Sequence, residues 1–292
     1  MAERVLENGL LKAVIRDQGA ELVSLQDRTS GQEYIWDASP NVWNRHAPVL
    51  FPFVGKVYKG VYRHQGKEYE LRSQHGFARD SRFDCVKEEK DCVIHRLCDT
   101  EETRAVYPFA FRLEVIHRLE GRTLTVEYRV ENPGDDLLYY SVGGHPGFAV
   151  AEGKKRSDYR LRFPGKERLR YILIDPESGC AKPDRKYTLE LENGCCPVPE
   201  DMFDRDALIF DGNQIQKVEI LRSDGTPQVS MEAEGFPSFG IWSKPEGPYI
   251  CLEPWAGRTD NVGFAGELPE KYGIQKLEPG GCERKSYRIT VA

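Results

Sequence analysis

Alternation of apolar and polar positions with a period of two dominates the chain. In TLTVEYRV, Leu124, Val126, Tyr128 and Val130 fall on one face, and Thr125, Glu127 and Arg129 on the other. Successive side chains of a strand point to opposite sides, so this spacing predicts a half-buried strand rather than a helix. Upstream, Phe109, Phe111, Leu113 and Val115 share one face of FAFRLEV, and Glu120, Gly121 and Arg122 lie between the two runs. A hairpin is the simplest connection. YRHQGKEYEL predicts a second hairpin with its turn near Gln65 and Gly66, and VEILRSDGTPQVSME and IWSKPEGPYICLEP repeat the arrangement. SYRITV reads as a closing strand.

No window of helical length keeps an apolar stripe. PEDMFDRDALIF, from Pro199, is the best candidate for a helical turn, its early acidic residues suiting a helix N-terminus. Many strands without a repeated strand–helix unit predict an all-β fold, a large antiparallel β-sandwich of two packed sheets. No internal repeat, low-complexity tract or linker divides the chain, so one domain over residues 1–292 is expected.

Composition adds mainly exclusions. A chain of 292 residues needs no covalent staples, since it buries roughly three quarters of its extended surface. Its 41 Lys plus Arg against 47 Asp plus Glu give a formal charge of -6, which offers no general attraction to nucleic acid or anionic membranes. The opening MAERVLENGLLKAVI carries charges at once, unlike a signal peptide. No stretch approaches the roughly 18–20 apolar residues of a membrane helix. The expectation is a cytoplasmic protein; oligomeric state is not legible. The eight cysteines show no CxxC pairing, and Cys195 and Cys196 are adjacent. They fit small buried hydrophobes and a few exposed thiols better than a disulfide framework or a structural zinc site.

Six histidines can be weighed one by one. His64, His95 and His117 lie in turn- or strand-like runs and read as structural or surface residues; His46 could line a site or satisfy a loop. His75 in SQHGFARD and His145 in GGHPGFAV each sit beside glycine in a loop-forming context. Either imidazole could hold a loop by hydrogen bonding or exchange a proton near neutral pH. Glu253, in YICLEPWAGRTDN, ends a hydrophobic run beside Trp255 and precedes a proline that favours extended backbone. A carboxylate there could make a strand-end salt bridge or act as a general base in a semi-dry pocket.

Other chemistries fit less well. His75, His145 and Glu253 could form a metal triad, but nothing resembles HExxH, and no metal is expected. There is no GxSxG elbow for a serine esterase, and Gly143, Gly144 and Gly147 lack dinucleotide-binding spacing. Glycoside hydrolysis needs a second carboxylate, for which Asp204, Asp206, Asp211 and Asp260 are candidates. Trp36, Trp43, Trp242 and Trp255, with Phe51, Phe53, Phe77, Phe148 and Phe210, offer flat surfaces for a sugar ring or simply build the core. Lys56 and Arg79 could bind hydroxyls or an anionic group.

Four segments occur together in an informative order: LFPFVGKVYKGVYRHQGKEYEL, QHGFARD, YYSVGGHPGFAV and CLEPWAGRTDN. With NGLLKAVIRDQGAELVSL and the terminal strands they make the chain resemble the aldose 1-epimerase (galactose mutarotase-like) family, and especially its divergent LacX-like subgroup, over nearly its whole length. The resemblance implies a β-supersandwich and an isomerase that interconverts the α and β anomers of an aldose. It implies Glu253 as general base, His145 as general acid toward the ring oxygen, and His75 as the companion histidine. It further implies Arg79, Asp206, Lys56, Phe148 and Trp255 as substrate contacts, with Asp204 competing for the place of Asp206. A monosaccharide or sugar phosphate is the implied partner, and no cofactor is needed because nothing is oxidised. His145-Pro146-Gly147-Phe148 replaces the usual HxYFNL-like segment, so galactose specificity does not carry over. Hexose-phosphate mutarotation, or carbohydrate binding without catalysis, are the alternatives.

Overall fold

The hairpins predicted from alternation are present in the computed structural model, which describes residues 2–151 and 153–292. The first is Arg112–Glu120 paired with Thr123–Glu131 through Gly121 and Arg122, with Leu124, Val126, Tyr128 and Val130 all buried. Phe109 and Phe111 are buried as expected but precede the strand, which begins at Arg112. Gln65 and Gly66 both have positive φ, 52° and 75°, the two-residue geometry that matches strand twist. Lys217–Leu221 pairs with Pro227–Glu232, Ser238–Trp242 pairs with Tyr249–Ala256, and SYRITV lies in the strand Cys282–Val291.

Helical structure differs from the expectation. PEDMFDRDALIF holds only a 3-10 turn, Glu200–Phe203, and then the strand Leu208–Asp211. The α-helix lies instead at Glu101–Val106. None of its six residues is buried, so it leaves no apolar stripe in the sequence. Thr100 and Thr103 cap it reciprocally: Thr103 N donates to Thr100 Oγ1 at 3.2 Å and Thr100 N to Thr103 Oγ1 at 2.8 Å.

Two large sheets carry the fold. A nine-stranded sheet contains Cys92–Cys98, Arg112–Glu120, Thr123–Glu131 and Cys282–Val291; an eight-stranded sheet contains Val142–Gly144, Leu208–Asp211, Ser238–Trp242 and Tyr249–Ala256. They pack closely: a Cβ added to Gly144 would lie 2.7 Å from Tyr287 Oη and 2.9 Å from Tyr128 Oη of the opposite sheet. Ile250, Leu252 and Ala256 enter the same core cluster as Leu113, Val126 and Ile289. The alternate residues of that strand, Tyr249, Cys251, Glu253 and Trp255, therefore point away from the sandwich interior. They are nevertheless buried, so loops cover that outer face. The site forms in this covered layer.

Among the described residues no helix is long and apolar enough to cross a membrane. All eight cysteines are free; Cys92, Cys180, Cys196 and Cys251 are buried and Cys98 and Cys282 exposed.

Candidate active site

His145 and Glu253 meet because of strand register. Gly143 pairs with Trp255 and Gly147 with Cys251, so His145, between them, lies directly opposite Glu253. Pro146 has no N–H to continue the ladder, and the exchange there shrinks to Leu252 N donating to Pro146 O at 3.2 Å. Residues directly opposite on antiparallel strands send their side chains to the same face, so His145 joins Glu253 on the covered face. His145 Nε2 lies 3.2 Å from Glu253 Oε2, and both residues are almost fully buried.

Around the pair is a cavity of about 280 Å³, lined by Trp43, Gln74, His75, Arg79, His145, Asp206, Trp242, Glu253, Trp255 and Thr259 among others. Trp43 stacks on the His145 imidazole at 4.9 Å between ring centroids, and Trp242 and His75 meet it edge-on at 5.6 and 5.5 Å. A larger cavity of about 400 Å³, around Arg170, Arg258 and Tyr272, shares only Ile209 with it and, of the carboxylates and histidines weighed from the sequence, holds only Asp211.

The HGFAR segment is held by backbone bonds to the loop that starts at Phe51. His75 N donates to Gly55 O at 2.7 Å, and Phe77 N and Ala78 N donate to Phe51 O at 3.1 and 3.0 Å. Glycine is required at position 76: its φ is +70°, and a Cβ would sit 2.3 Å from Phe51 O. Gly55 N donates to His75 Nδ1 at 3.0 Å, which leaves the proton of the neutral ring on Nε2. The Gln74 side-chain amide lies 2.7 Å from Nε2 and, with that tautomer, must present its oxygen there. His75 and Asp206 have φ of 66° and 70°, values uncommon for non-glycine residues and enriched where a site imposes them.

Glycines also make room for the Trp255 indole. Gly143 and Gly240 stand on the two strands flanking Tyr249–Ala256, opposite Trp255 and Glu253 respectively. A Cβ on Gly240 would lie 2.4 Å from the indole ring, and one on Gly143 2.8 Å from its Cδ1. Neither glycine stands out in the sequence. Gln74 and Thr259 also line the cavity without having been singled out. Their signal was present only as polar neighbours of His75 and Arg258 in the recognised motifs.

Six of the eight sequence-predicted site residues converge here: Glu253, His145, His75, Arg79, Asp206 and Trp255. Asp206 lines the cavity whereas Asp204 does not. Two require correction. Phe148 is 1 % exposed within the main core, because an odd offset from His145 along extended backbone turns it to the opposite face. Lys56 has its backbone tied to Thr259, and its side chain runs along Gly179 into a separate cavity with Arg72, Asp175 and Glu177. His46 contributes backbone only, its carbonyl accepting from Gly147 N.

Burial dominates the electrostatics. It holds the Glu253 carboxyl well above its ordinary range, with the Asp206 carboxylate adding to the effect and the Trp255 indole N–H opposing it. It presses His145 down to about 3, opposed by the histidine's own backbone and assisted by Arg79. His75 is pushed well below its usual value by burial, then by His145, Arg79 and Arg45. Arg79 is lowered by burial and by Arg45, opposed by Asp80, whose Oδ2 stands 3.6 Å from its Nε. The cavity thus disfavours isolated charge but keeps a donor and an acceptor in contact. That arrangement suits concerted proton transfer to and from one small polar ligand. The thiol of Cys251 joins the pair from beneath: one ligand atom each from His145, Cys251 and Glu253 lie within 4.8 Å of one another.

Known proteins agree with this architecture. The sequence pattern of the family described as aldose 1-epimerase matches residues 4–289. The chromosomal LacX protein of Lactococcus lactis subsp. lactis is 29% identical, with 98% of each chain aligned. A galactose mutarotase related enzyme from Lactobacillus acidophilus superimposes with a TM-score of 0.94 at 33% identity, covering 100% of this chain and 97% of the other. A galactose mutarotase-like protein from Lactobacillus casei gives 0.91 at 28% identity, with 100% of both chains covered.

Proposed function

Because the chain belongs to the aldose 1-epimerase family, we propose that it catalyses interconversion of the α and β anomers of an aldose by acid/base ring opening and reclosure. The observation that carries this reading is the 3.2 Å contact of His145 with Glu253 at the wall of a small cavity. The hemiacetal carbon bears two oxygens, a hydroxyl that must lose a proton and a ring oxygen that must gain one. Two side chains this close can serve both oxygens of a single carbon.

The proton inventory closes without a cofactor. The pair carries one proton. In the reactive form it sits on His145, and the Glu253 carboxylate accepts the proton of the anomeric hydroxyl. As the C1–O5 bond breaks, its electron pair takes the His145 proton, and the hydroxyl electrons form the aldehyde. Glu253 is left protonated and His145 neutral. Burial favours this neutral pair, which is therefore also the resting form, and the charged pair that starts ring opening is its minor tautomer. Rotation about C1–C2 presents the other aldehyde face, and reclosure reverses both transfers to give the other anomer. His75, whose Nε2–H is held by the Gln74 side chain and would have to exchange that partner for a sugar oxygen, is assigned with Arg79 and Asp206 to ring hydroxyls, and Trp255 to an apolar face of the sugar.

A second reading, a phosphorylated hexose as substrate, has support in the Arg79 guanidinium at the cavity wall. Both are tested by dissolving single anomers of several aldoses and their 6-phosphates and following the anomeric signals by NMR. The proposal expects faster approach to the same equilibrium, without change of mass, for at least one sugar. Preference for a phosphate selects the second reading. Saturable binding without acceleration of any sugar leaves only carbohydrate binding.

A further inference from the structure

Cys251 has no part in the proton transfers above, yet the fold brings its thiol to them. It precedes Glu253 by two positions on one strand, so both side chains leave the same face, and Gly147 pairs with it across from His145. Cys251 is fully buried and free of any disulfide. From these placements we infer that His145, Cys251 and Glu253 form a binding site for a soft divalent cation, with Zn²⁺ as the fitting ion, which occupies the cavity in competition with sugar.

The donor set argues for that class of ion. Imidazole nitrogen, thiolate sulfur and carboxylate oxygen together match zinc, whereas Mg²⁺ and Ca²⁺ require oxygen ligands in larger number. Zinc bond lengths imply ligand-to-ligand separations of roughly 3.3–3.7 Å in a tetrahedral site. The three ligand atoms lie within 4.8 Å of one another, and His145 Nε2 to Glu253 Oε2 is 3.2 Å. Side-chain rotation of about 1 Å closes the set without moving the strand. His145 and Glu253 line the cavity, so the ion enters from it and its fourth position faces back into it. Three protein ligands with one open position is a geometry zinc accepts readily.

Competition with sugar rests on the mutarotase reading; occupancy by the metal does not, and the two are measured separately. Metal-free protein with Cys98 and Cys282, its exposed thiols, replaced by serine is titrated with Co²⁺ as a spectroscopic substitute for Zn²⁺. The expected result is one Co²⁺ per chain, visible bands of tetrahedral intensity, a near-ultraviolet thiolate charge-transfer band, and loss of all of these on adding Zn²⁺. C251S should abolish the charge-transfer band and weaken Zn²⁺ binding at least about tenfold. Should C251S fail to fold, H145Q must move the visible bands of the same complex. In the anomerisation assay, Zn²⁺ should raise the apparent KM for sugar, and the effect, relative to each variant's own metal-free rate, should shrink about tenfold in C251S. Binding without a thiolate band, or Zn²⁺ affinity unchanged by C251S, overturns the site. A protein that shows the band but anomerises no sugar keeps the metal site and loses the mutarotase reading.

Discussion

At the scale of single residues, the site depends as much on absent side chains as on present ones. Gly240 stands opposite Glu253 and leaves the space that Trp255 fills. Replacing Gly240 with Ala should displace the indole, cost about 1–3 kcal/mol of stability through overpacking, and slow anomerisation about tenfold or more. Urea denaturation and NMR rates would check this; a variant as stable and as active as the parent would mean that Trp255 does not shape the cavity. The residues proposed to react, His75, His145 and Glu253, were named from the sequence by the family resemblance that their loop motifs carry. Lys56 and Phe148, named from the same motifs, do not line the cavity. Nearness to a motif in sequence says nothing about which side of the backbone a side chain leaves. For Phe148, the alternation rule used elsewhere in the chain already pointed inward. Gly143 and Gly240 could not be found this way, because their role exists only across paired strands.

Secondary-structure elements divide by the amount of surface they bury. Strands with one face in the core print an alternating pattern, which is why the hairpin at Gly121 and the turn at Gln65-Gly66 were readable to within a few residues. The helix Glu101–Val106 buries no residue fully, with only Val106 packed at the edge of the core, and prints no stripe. Its stability rests on local capping, so Thr100→Ala should cost about 1 kcal/mol in urea unfolding while leaving the anomerisation rate within about twofold. A tenfold loss of rate would show that this segment communicates with the cavity. The strand Tyr249–Ala256 is the opposite case: buried on both faces, it reads as a nearly unbroken apolar run. Which of its residues face the loops depends on register against strands far away in sequence. The meeting of His145 with Glu253 was therefore an expectation of family resemblance and not of pattern.

The molecule as a whole is built to be sensitive to acid. All six histidines are held below their ordinary value, chiefly by burial, with His117 and His145 at about 3 and His46 at about 4. As pH falls through the unfolded histidine value of about 6.5, the unfolded chain binds protons that the native chain refuses. The unfolded state then holds more protons, so stability declines as pH falls, by at most about 1.4 kcal/mol per pH unit for each fully buried histidine. Glu253 and Glu21 act in the opposite sense, since their raised values keep protons on the native state while the unfolded carboxylates ionise, but they are outnumbered. The urea midpoint should drop between about pH 7.5 and pH 5.5 with little change of slope; a constant or rising midpoint would contradict this balance. At this scale the sandwich was legible from strand content and turn spacing. The strand order within each sheet was not, because pairings between distant segments leave no local trace.

The central claim is that Glu253 and His145 exchange protons with the two oxygens of one hemiacetal carbon. Exchange NMR on an equilibrated mixture of α and β anomers tests it most directly, since cross-peaks between the anomeric signals report interconversion with no net reaction. With a sugar accepted in the panel above, wild-type protein should give cross-peaks that grow in proportion to its concentration. E253Q, folded by near-ultraviolet circular dichroism, should lower the rate about a hundredfold or more. Undiminished cross-peaks with folded E253Q would contradict the account.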